Sequence, residues 1–166
     1  MRIREFRRRG ALLRFKGSTW STLMSELERR GKGERESGAF LLASSKWPQV
    51  VEVVVPYDEL DPACLTGGID FHRSGYQRLW TRCEHLGLCV VGDAHTHPSK
   101  WVSQSEVDRR HPMLARVGHV ALIVPNFAQG DVPPAEIGVH VYQGDQGWAA
   151  CAGRHAHKAI YVGPLA

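Results

Sequence analysis

Residues 92–108 read Gly-Asp-Ala-His-Thr-His-Pro-Ser-Lys-Trp-Val-Ser-Gln-Ser-Glu-Val-Asp and follow an apolar run over residues 88–91. This run predicts the start of a buried strand that continues toward His95. Side chains two positions apart on a strand project to the same side, so His95 and His97 can reach one metal ion without distortion of the backbone. The stretch therefore predicts a strand that ends in a pair of metal ligands.

A third ligand follows eleven residues after His97, where Asp108 lies near a predicted helix start. Ser103 and Glu106 have the spacing of a capping box, which places Ser105 and Asp108 in the first turns and lets the aspartate turn back toward the histidines. Two imidazole nitrogens and one carboxylate oxygen suit zinc, and three protein ligands leave a fourth position for water. Zinc lowers the pKa of that water to about 7, so a base and an oxyanion donor would complete a hydrolytic site.

Helices and strands alternate along the rest of the chain. Apolar residues at helical spacing predict helices over residues 18–30, with Ser18 or Thr19 as the cap, and over residues 73–86. Further strands are predicted over residues 38–43, 50–55, 119–124 and 137–143, the last as an edge strand, with a strand or an arm over residues 5–15. A chain of 166 residues can bury one core, so we expect a single domain of the α/β or α+β class.

Three segments together resemble the signature of the JAB/MPN metallopeptidases, in particular their prokaryotic branch, which lies beside bacterial ubiquitin-like conjugation genes. They are Glu36-Ser-Gly-Ala-Phe-Leu-Leu42, His95-Thr-His-Pro98 and Ser105-Glu-Val-Asp108, and the resemblance extends over roughly residues 20–143. It implies a single α/β domain over residues 1–166, folded as a cytidine-deaminase-like α/β/α sandwich around a curved mixed sheet.

The resemblance also implies a role for each residue of the site. His95, His97 and Asp108 would bind one zinc ion. Glu36 would be the general acid/base that holds the water, and Ser105 would steady the tetrahedral oxyanion. The implied activity is that of a zinc-dependent, deubiquitinase-like isopeptidase or peptidase.

The implied substrate is a ubiquitin-like protein, or a conjugate of one, cut after its C-terminus in a bacterial pathway linked to antiphage defence, with conjugation-pathway enzymes as further partners. Residues 57–71 and 125–134 are the expected walls of the substrate groove. Two alternatives stay open: a hydrolase that processes a sulfur-carrier protein by the same chemistry, and a non-catalytic JAB-like module associated with DNA repair. The second is disfavoured because the chain keeps every ligand and the glutamate.

Neighbouring residues compete for these roles. Glu34 stands two positions before Glu36 and is interpreted as a solvated loop charge. Asp93 would share the side of the strand with His95, as a partner of that histidine or as a turn carboxylate, and stays outside the predicted site. Trp101 is either a groove aromatic or a packing residue.

The ends of the chain carry features without an assigned role. His155 and His157 repeat the His-x-His spacing, but no acid or cysteine follows, so we expect surface histidines in a C-terminal tail over residues 154–166. Residues 1–16 form a basic segment with seven Arg or Lys residues against one Glu, within a net charge of +4. The remainder is slightly acidic, so a nucleic-acid partner is not predicted.

The cysteines and the apolar segments of the sequence indicate where in the cell the protein is expected. The four cysteines form no Cys-x-x-Cys pair, which argues against a cysteine zinc cluster and for reduced thiols. The N-terminus lacks the apolar core of a secretory signal, and no apolar run approaches the roughly 18 residues of a membrane span. We therefore expect a cytoplasmic protein with no membrane partner.

Overall fold

A computed structural model describes residues 10–164, and its elements follow the predicted alternation. The strands are β1 (Leu13–Phe15), β2 (Gly38–Ala43), β3 (Val50–Val51), β4 (Val53–Pro56), β5 (Cys89–Thr96), β6 (Val120–Val124), β7 (Gly138–Tyr142), β8 (Trp148–Cys151) and β9 (Ile160–Val162). The α-helices are α1 (Gly17–Gly31), α2 (Tyr57–Leu60), α3 (Arg73–Leu86), α4 (Glu106–Arg110) and α5 (Arg154–Ala159). Single 3₁₀ turns lie at Asn126–Ala128, Pro134–Glu136 and Gly144–Gln146.

A six-stranded sheet with the order β4-β2-β5-β6-β7-β8 forms the centre of the fold. It is mixed, because β5 and β6 are parallel and the other neighbours are antiparallel. A smaller parallel sheet joins β3, β1 and β9. The parallel pair β5 and β6 brings the carboxyl ends of two buried strands to one edge, which is where binding sites in α/β sheets commonly form.

Helix α1 presents one apolar face to the sheet. Its buried side chains have the predicted helical spacing: Trp20, Leu23, Met24 and Leu27. The predicted cap is wrong, because Lys16 occupies the N-cap position without a side-chain hydrogen bond, and Ser18 and Thr19 lie inside the first turn.

Helices cover both faces of the large sheet. Phe40 and Leu42 of β2 belong to the same buried cluster as Leu79 and Cys83 of α3. Leu41 points the other way and belongs to the cluster that contains the apolar face of α1. The predicted α/β/α sandwich with a mixed sheet is therefore confirmed.

A β-bulge in β5 decides which side chains face the site. The pairing of β2 with β5 shifts between Leu41 and Leu42 and leaves Val91 as an extra residue on β5. Val91 packs in the α1 cluster, whereas Asp93 bonds to a residue of the α3 cluster. In a regular strand these two residues would share a face, so the bulge turns Asp93 and His95 away from α1.

The edges of the sheet differ from the prediction. The strand predicted over residues 137–143 is present as β7, but its predicted edge position is wrong, since β7 lies between β6 and β8 and is almost wholly buried. The predicted strand over residues 50–55 is divided at Glu52 into β3 and β4, which belong to different sheets. β8 is the edge strand beyond β7, and its sequence Trp-Ala-Ala-Cys lacks the alternation of apolar and polar residues by which a strand can be predicted.

The predicted C-terminal tail over residues 154–166 is folded as far as residue 164, and residues 165–166 lie outside the described residues. It contains α5, with Ala156 and Ala159 buried, and β9, which pairs in parallel with β1. Of the basic segment 1–16, residues 1–9 lie outside the described residues. Between residues 10 and 164, no helix combines the length and the apolar character that crossing a membrane requires.

Candidate metal centre

The three predicted metal ligands meet at the end of β5. His95 lies in β5, and His97 follows it with its backbone N–H donating to the Val124 carbonyl of β6. His95 Nε2 is 3.6 Å from Asp108 Oδ1, and His97 Nε2 is 3.4 Å from Asp108 Oδ2. One ligand atom from each residue lies within 4.8 Å of the other two, and both histidines are buried. The arrangement is able to hold one metal ion.

A capping box at the start of α4 orients Asp108. Ser105 is the N-cap: its Oγ accepts the Asp108 N–H at 3.1 Å, and Asp108 Oδ2 accepts the Ser105 N–H at 2.7 Å. The predicted Ser103–Glu106 box is wrong, although both pairs have the same i, i+3 spacing. The Asp108 side chain thus helps to cap α4 and also supplies the third metal donor.

Electrostatics keep this carboxylate charged. Burial raises the pKa of Asp108, but its interactions with His95 and His97 outweigh burial and hold that pKa well below its usual range. Burial lowers the pKa of His95, but Asp108 and Asp93 outweigh it and raise the pKa to about 10. The pocket around the imidazoles therefore favours positive charge, which a metal cation also carries.

Glu36 reaches the same place from the segment before β2. Its N–H donates to the Gly67 carbonyl, and its side chain lines a cavity of about 580 Å³ together with His95, Ser105 and Asp108. Burial raises the pKa of Glu36 above its ordinary value, against the opposing charges of the two histidines. A carboxyl group of raised pKa is suited to take up and return a proton near neutral pH.

One predicted wall of the cavity is present and the other is not. Tyr57 and Phe71 line the cavity from the 57–71 connection, as expected. The predicted wall at residues 125–134 is wrong, because none of its residues lines the cavity. The cavity is also lined by Val107, His111, Pro112, Met113 and, from β8, Trp148.

The loop over residues 125–134 contains a left-handed turn that holds the backbone of His97. Asn126, Phe127 and Ala128 have φ values of 52, 54 and 59°, and the Phe127 N–H donates to the His97 carbonyl at 2.9 Å. Non-glycine residues in this region are strained, and three in succession are uncommon. His97 Nδ1 lies 3.0 Å from the Trp101 carbonyl, an acceptor, so this nitrogen carries the proton and Nε2 is left for a metal.

The chain between His97 and Asp108 also packs closely on β7. His140 Nε2 lies 2.9 Å from the Val102 carbonyl oxygen. A Cβ atom added at Gly138 would stand 1.9 Å from that same oxygen, so only glycine lets the segment approach. This contact helps to set the distance between the two halves of the donor set.

Replacing Gly138 with alanine is expected to displace Val102, to lower the free energy of unfolding by about 1–3 kcal/mol and to weaken metal binding. Urea unfolding and zinc titration measure the two effects. Gly17→Ala is the matched control, because a Cβ atom there meets no atom within 4 Å. Gly138→Ala protein with the stability and zinc affinity of the parent would contradict this role of the contact.

The remaining candidates are not members of the donor set. Glu34 is exposed and does not line the cavity, consistent with a solvated charge. Trp101 is 55% exposed and its ring centroid lies 5.6 Å from that of His97. His155 and His157 belong to α5 and line another cavity. The four cysteines are free thiols, as expected.

A buried network behind His95 was missed from the sequence. Asp93 Oδ1 lies 2.5 Å from His119 Nε2, and the Tyr57 hydroxyl donates to Asp93 Oδ2 at 2.8 Å. The position of Asp93 two residues before His95 was a visible signal. The sequence gives no such signal for its partners Tyr57 and His119, because they lie 36 and 26 residues away along the chain.

Comparison with known proteins supports the fold alone. No family model matches the sequence. The chain is similar to the solution structure of a protein from Desulfitobacterium hafniense, at 16% identity and a TM-score of 0.65, over 92% of this chain and 94% of that chain. It is similar to the solution structure of a protein from Salinibacter ruber, at 16% identity and a TM-score of 0.58, over 92% of each chain. The crystal structure of a JAB1/MPN domain protein from Archaeoglobus fulgidus matches at 18% identity over 92% of this chain and 97% of that chain, but its TM-score of 0.43 is too low to assign a family.

Proposed function

We propose that this chain is a zinc-dependent metallopeptidase of the JAB/MPN type. The observation that carries the proposal is that Glu36 lines one cavity with His95 and Asp108, and that His97 completes their donor set. These residues are distant in sequence, and they are the ones that the sequence resemblance singles out. A general acid/base beside a two-nitrogen, one-oxygen donor set is the composition of a hydrolytic zinc site.

The donor set fits zinc on the chemistry of its atoms. Both histidines turn Nε2 toward the carboxylate of Asp108. His95 Nε2 is a buried nitrogen without a hydrogen-bond partner among the described residues, which a metal ion would satisfy. A zinc ion held by His95, His97 and Asp108 would act as a Lewis acid and would lower the pKa of a bound water to about 7.

Glu36 is the proposed proton carrier. Its carboxylate accepts a proton from the attacking water as the water oxygen bonds to the scissile carbonyl carbon. It then returns that proton to the amine nitrogen as the carbon–nitrogen bond breaks. The raised pKa of Glu36 suits both proton uptake from the water and proton return to the amine, because the carboxyl group must hold the proton only between these two steps.

Ser105 is the proposed partner of the carbonyl oxygen. Its Oγ accepts the Asp108 N–H, which leaves the hydroxyl proton available for donation. The capping box fixes the position of this hydroxyl beside the donor set. A fixed donor that faces the developing negative charge lowers the barrier more than a mobile one does.

The proposed substrate is the C-terminal tail of a ubiquitin-like protein, joined to an amine by an isopeptide or a peptide bond. Val107 lines the cavity and is 66% exposed, and Trp101 stands exposed beside His97. Exposed tryptophans are enriched among the residues that dominate contacts with other proteins, and Trp101 is such a residue. An extended tail beside the 57–71 connection could add main-chain hydrogen bonds. The proposed setting is a bacterial conjugation pathway in the cytoplasm, linked to antiphage defence.

The test is cleavage of a ubiquitin-like protein, encoded near this gene, fused through its C-terminus to a reporter. Zinc-loaded protein should release the reporter at the C-terminal residue of the modifier, and a chelator should stop the release. A sulfur-carrier protein capped with an amino acid forms the second arm and separates that alternative. Absence of cleavage in both arms, or cleavage that persists after zinc is removed, would overturn the proposal.

A further inference from the structure

Asp93 is a buried carboxylate directly behind the metal centre. It is 1% exposed and lies on β5 two residues before His95. Its Oδ2 is 3.9 Å from His95 Nδ1, the ring nitrogen that faces away from Asp108. A buried carboxylate requires compensation, so its surroundings should reveal what it does.

Among the described residues, no arginine or lysine forms an ion pair with Asp93. Within residues 10–164, the polar neighbours of Asp93 are His95 Nδ1 at 3.9 Å, His119 Nε2 at 2.5 Å and the Tyr57 hydroxyl, which donates a hydrogen bond. Tyr57 and His119 are both fully buried.

Close packing in the fold fixes the position of the Tyr57 side chain in this network. Tyr57 packs across β2 at Gly38, where a Cβ atom would stand 2.2 Å from the tyrosine ring. Gly38 is also the β2 residue that pairs with His95. The bulge in β5 turns Asp93 toward Tyr57, as described above. The packing of Tyr57, the pairing of Gly38 with His95 and the bulge in β5 therefore together place the Asp93 carboxylate near His95 Nδ1.

We propose that Asp93 is a positioning residue for His95, an inference that rests on the proposed metal site. The carboxylate holds the imidazole proton on Nδ1, which leaves Nε2 unprotonated and directed at the ion. Tyr57 and His119 hold the carboxylate in place for this purpose. A shift of about 1 Å brings Asp93 Oδ2 and His95 Nδ1 to hydrogen-bond distance. Carboxylate partners of metal-bound histidines act in this way, and their loss weakens metal binding by roughly 10- to 100-fold.

The test compares zinc affinity, by competition with a chelator, among the parent, Asp93→Asn, Tyr57→Phe and His97→Ala proteins. Asp93→Asn should bind zinc about 10- to 100-fold more weakly, since the amide has the same shape but no charge. Tyr57→Phe removes one hydrogen bond and keeps the charge, so its affinity should fall much less. Thermal unfolding of the metal-free proteins separates lost affinity from lost fold.

Nitrogen NMR of the parent protein gives a second measurement that does not depend on any variant folding. In the zinc-loaded parent, His95 should carry its proton on Nδ1 and bind the metal through Nε2. An unprotonated Nδ1, or a folded Asp93→Asn protein with the zinc affinity of the parent, would overturn the role of Asp93. If either result is obtained while His97→Ala protein loses zinc, the proposed metal site is retained and only the positioning role of Asp93 is rejected. Parent protein that binds no zinc would overturn both.

Discussion

Replacing Glu36 with glutamine is expected to leave zinc bound and to slow hydrolysis of the modifier fusion by a factor of about 10²–10⁴. Glu36 is not a member of the donor set, so the amide removes no metal ligand. It does remove the group that carries the proton from water to the leaving amine. Zinc content by mass spectrometry and initial rates of reporter release measure the two outcomes together.

Glu34→Gln is the matched control for this experiment. The two glutamates are separated by one residue, but Glu34 is exposed and does not line the cavity. Its replacement changes the charge of the segment equally and should leave the rate unchanged. A Glu36→Gln protein with the parental rate, or a Glu34→Gln protein with a greatly reduced one, would show that the base is misassigned.

The donor set was predictable because short-range rules connect its members. Strand geometry relates His95 to His97, and a helix start accounts for Asp108. The error about the cap shows the limit of such rules: Ser103 and Ser105 each have an acidic residue three positions later. Only the folded chain shows that Ser105 is the cap, because Asp108 must also face the histidines.

The network behind His95 was beyond prediction for a different reason. Tyr57 and His119 meet Asp93 only because their elements assemble around β5. The bulge that orients Asp93 consists of one extra residue, Val91, in an apolar run that a regular strand would explain equally well. Pairing between sequence-distant segments, rather than local propensity, decides both features.

The outer parts of the fold escaped prediction for the same reason. A strand becomes an edge strand only through the absence of a further neighbour, and β8 is that neighbour for β7. β9 is short and gains its partner, β1, from the opposite end of the chain. The buried helices and central strands were predicted better, because burial imposes an apolar spacing that is visible locally.

Replacing His97 with alanine is expected to reduce the zinc content from one ion per chain to nearly none at equimolar zinc, and to abolish hydrolysis with it. The ring is one of three donors, and the Trp101 carbonyl and the Phe127 N–H hold this residue in place, so its removal leaves two donors at the end of β5. His111→Ala is the control, since His111 is an exposed histidine that lines the cavity outside the donor set. It should retain zinc and the fold of the parent. His97→Ala protein that still binds one zinc ion at parental affinity would show that the metal is held elsewhere, and the assignment of the centre to the end of β5 would have to be abandoned.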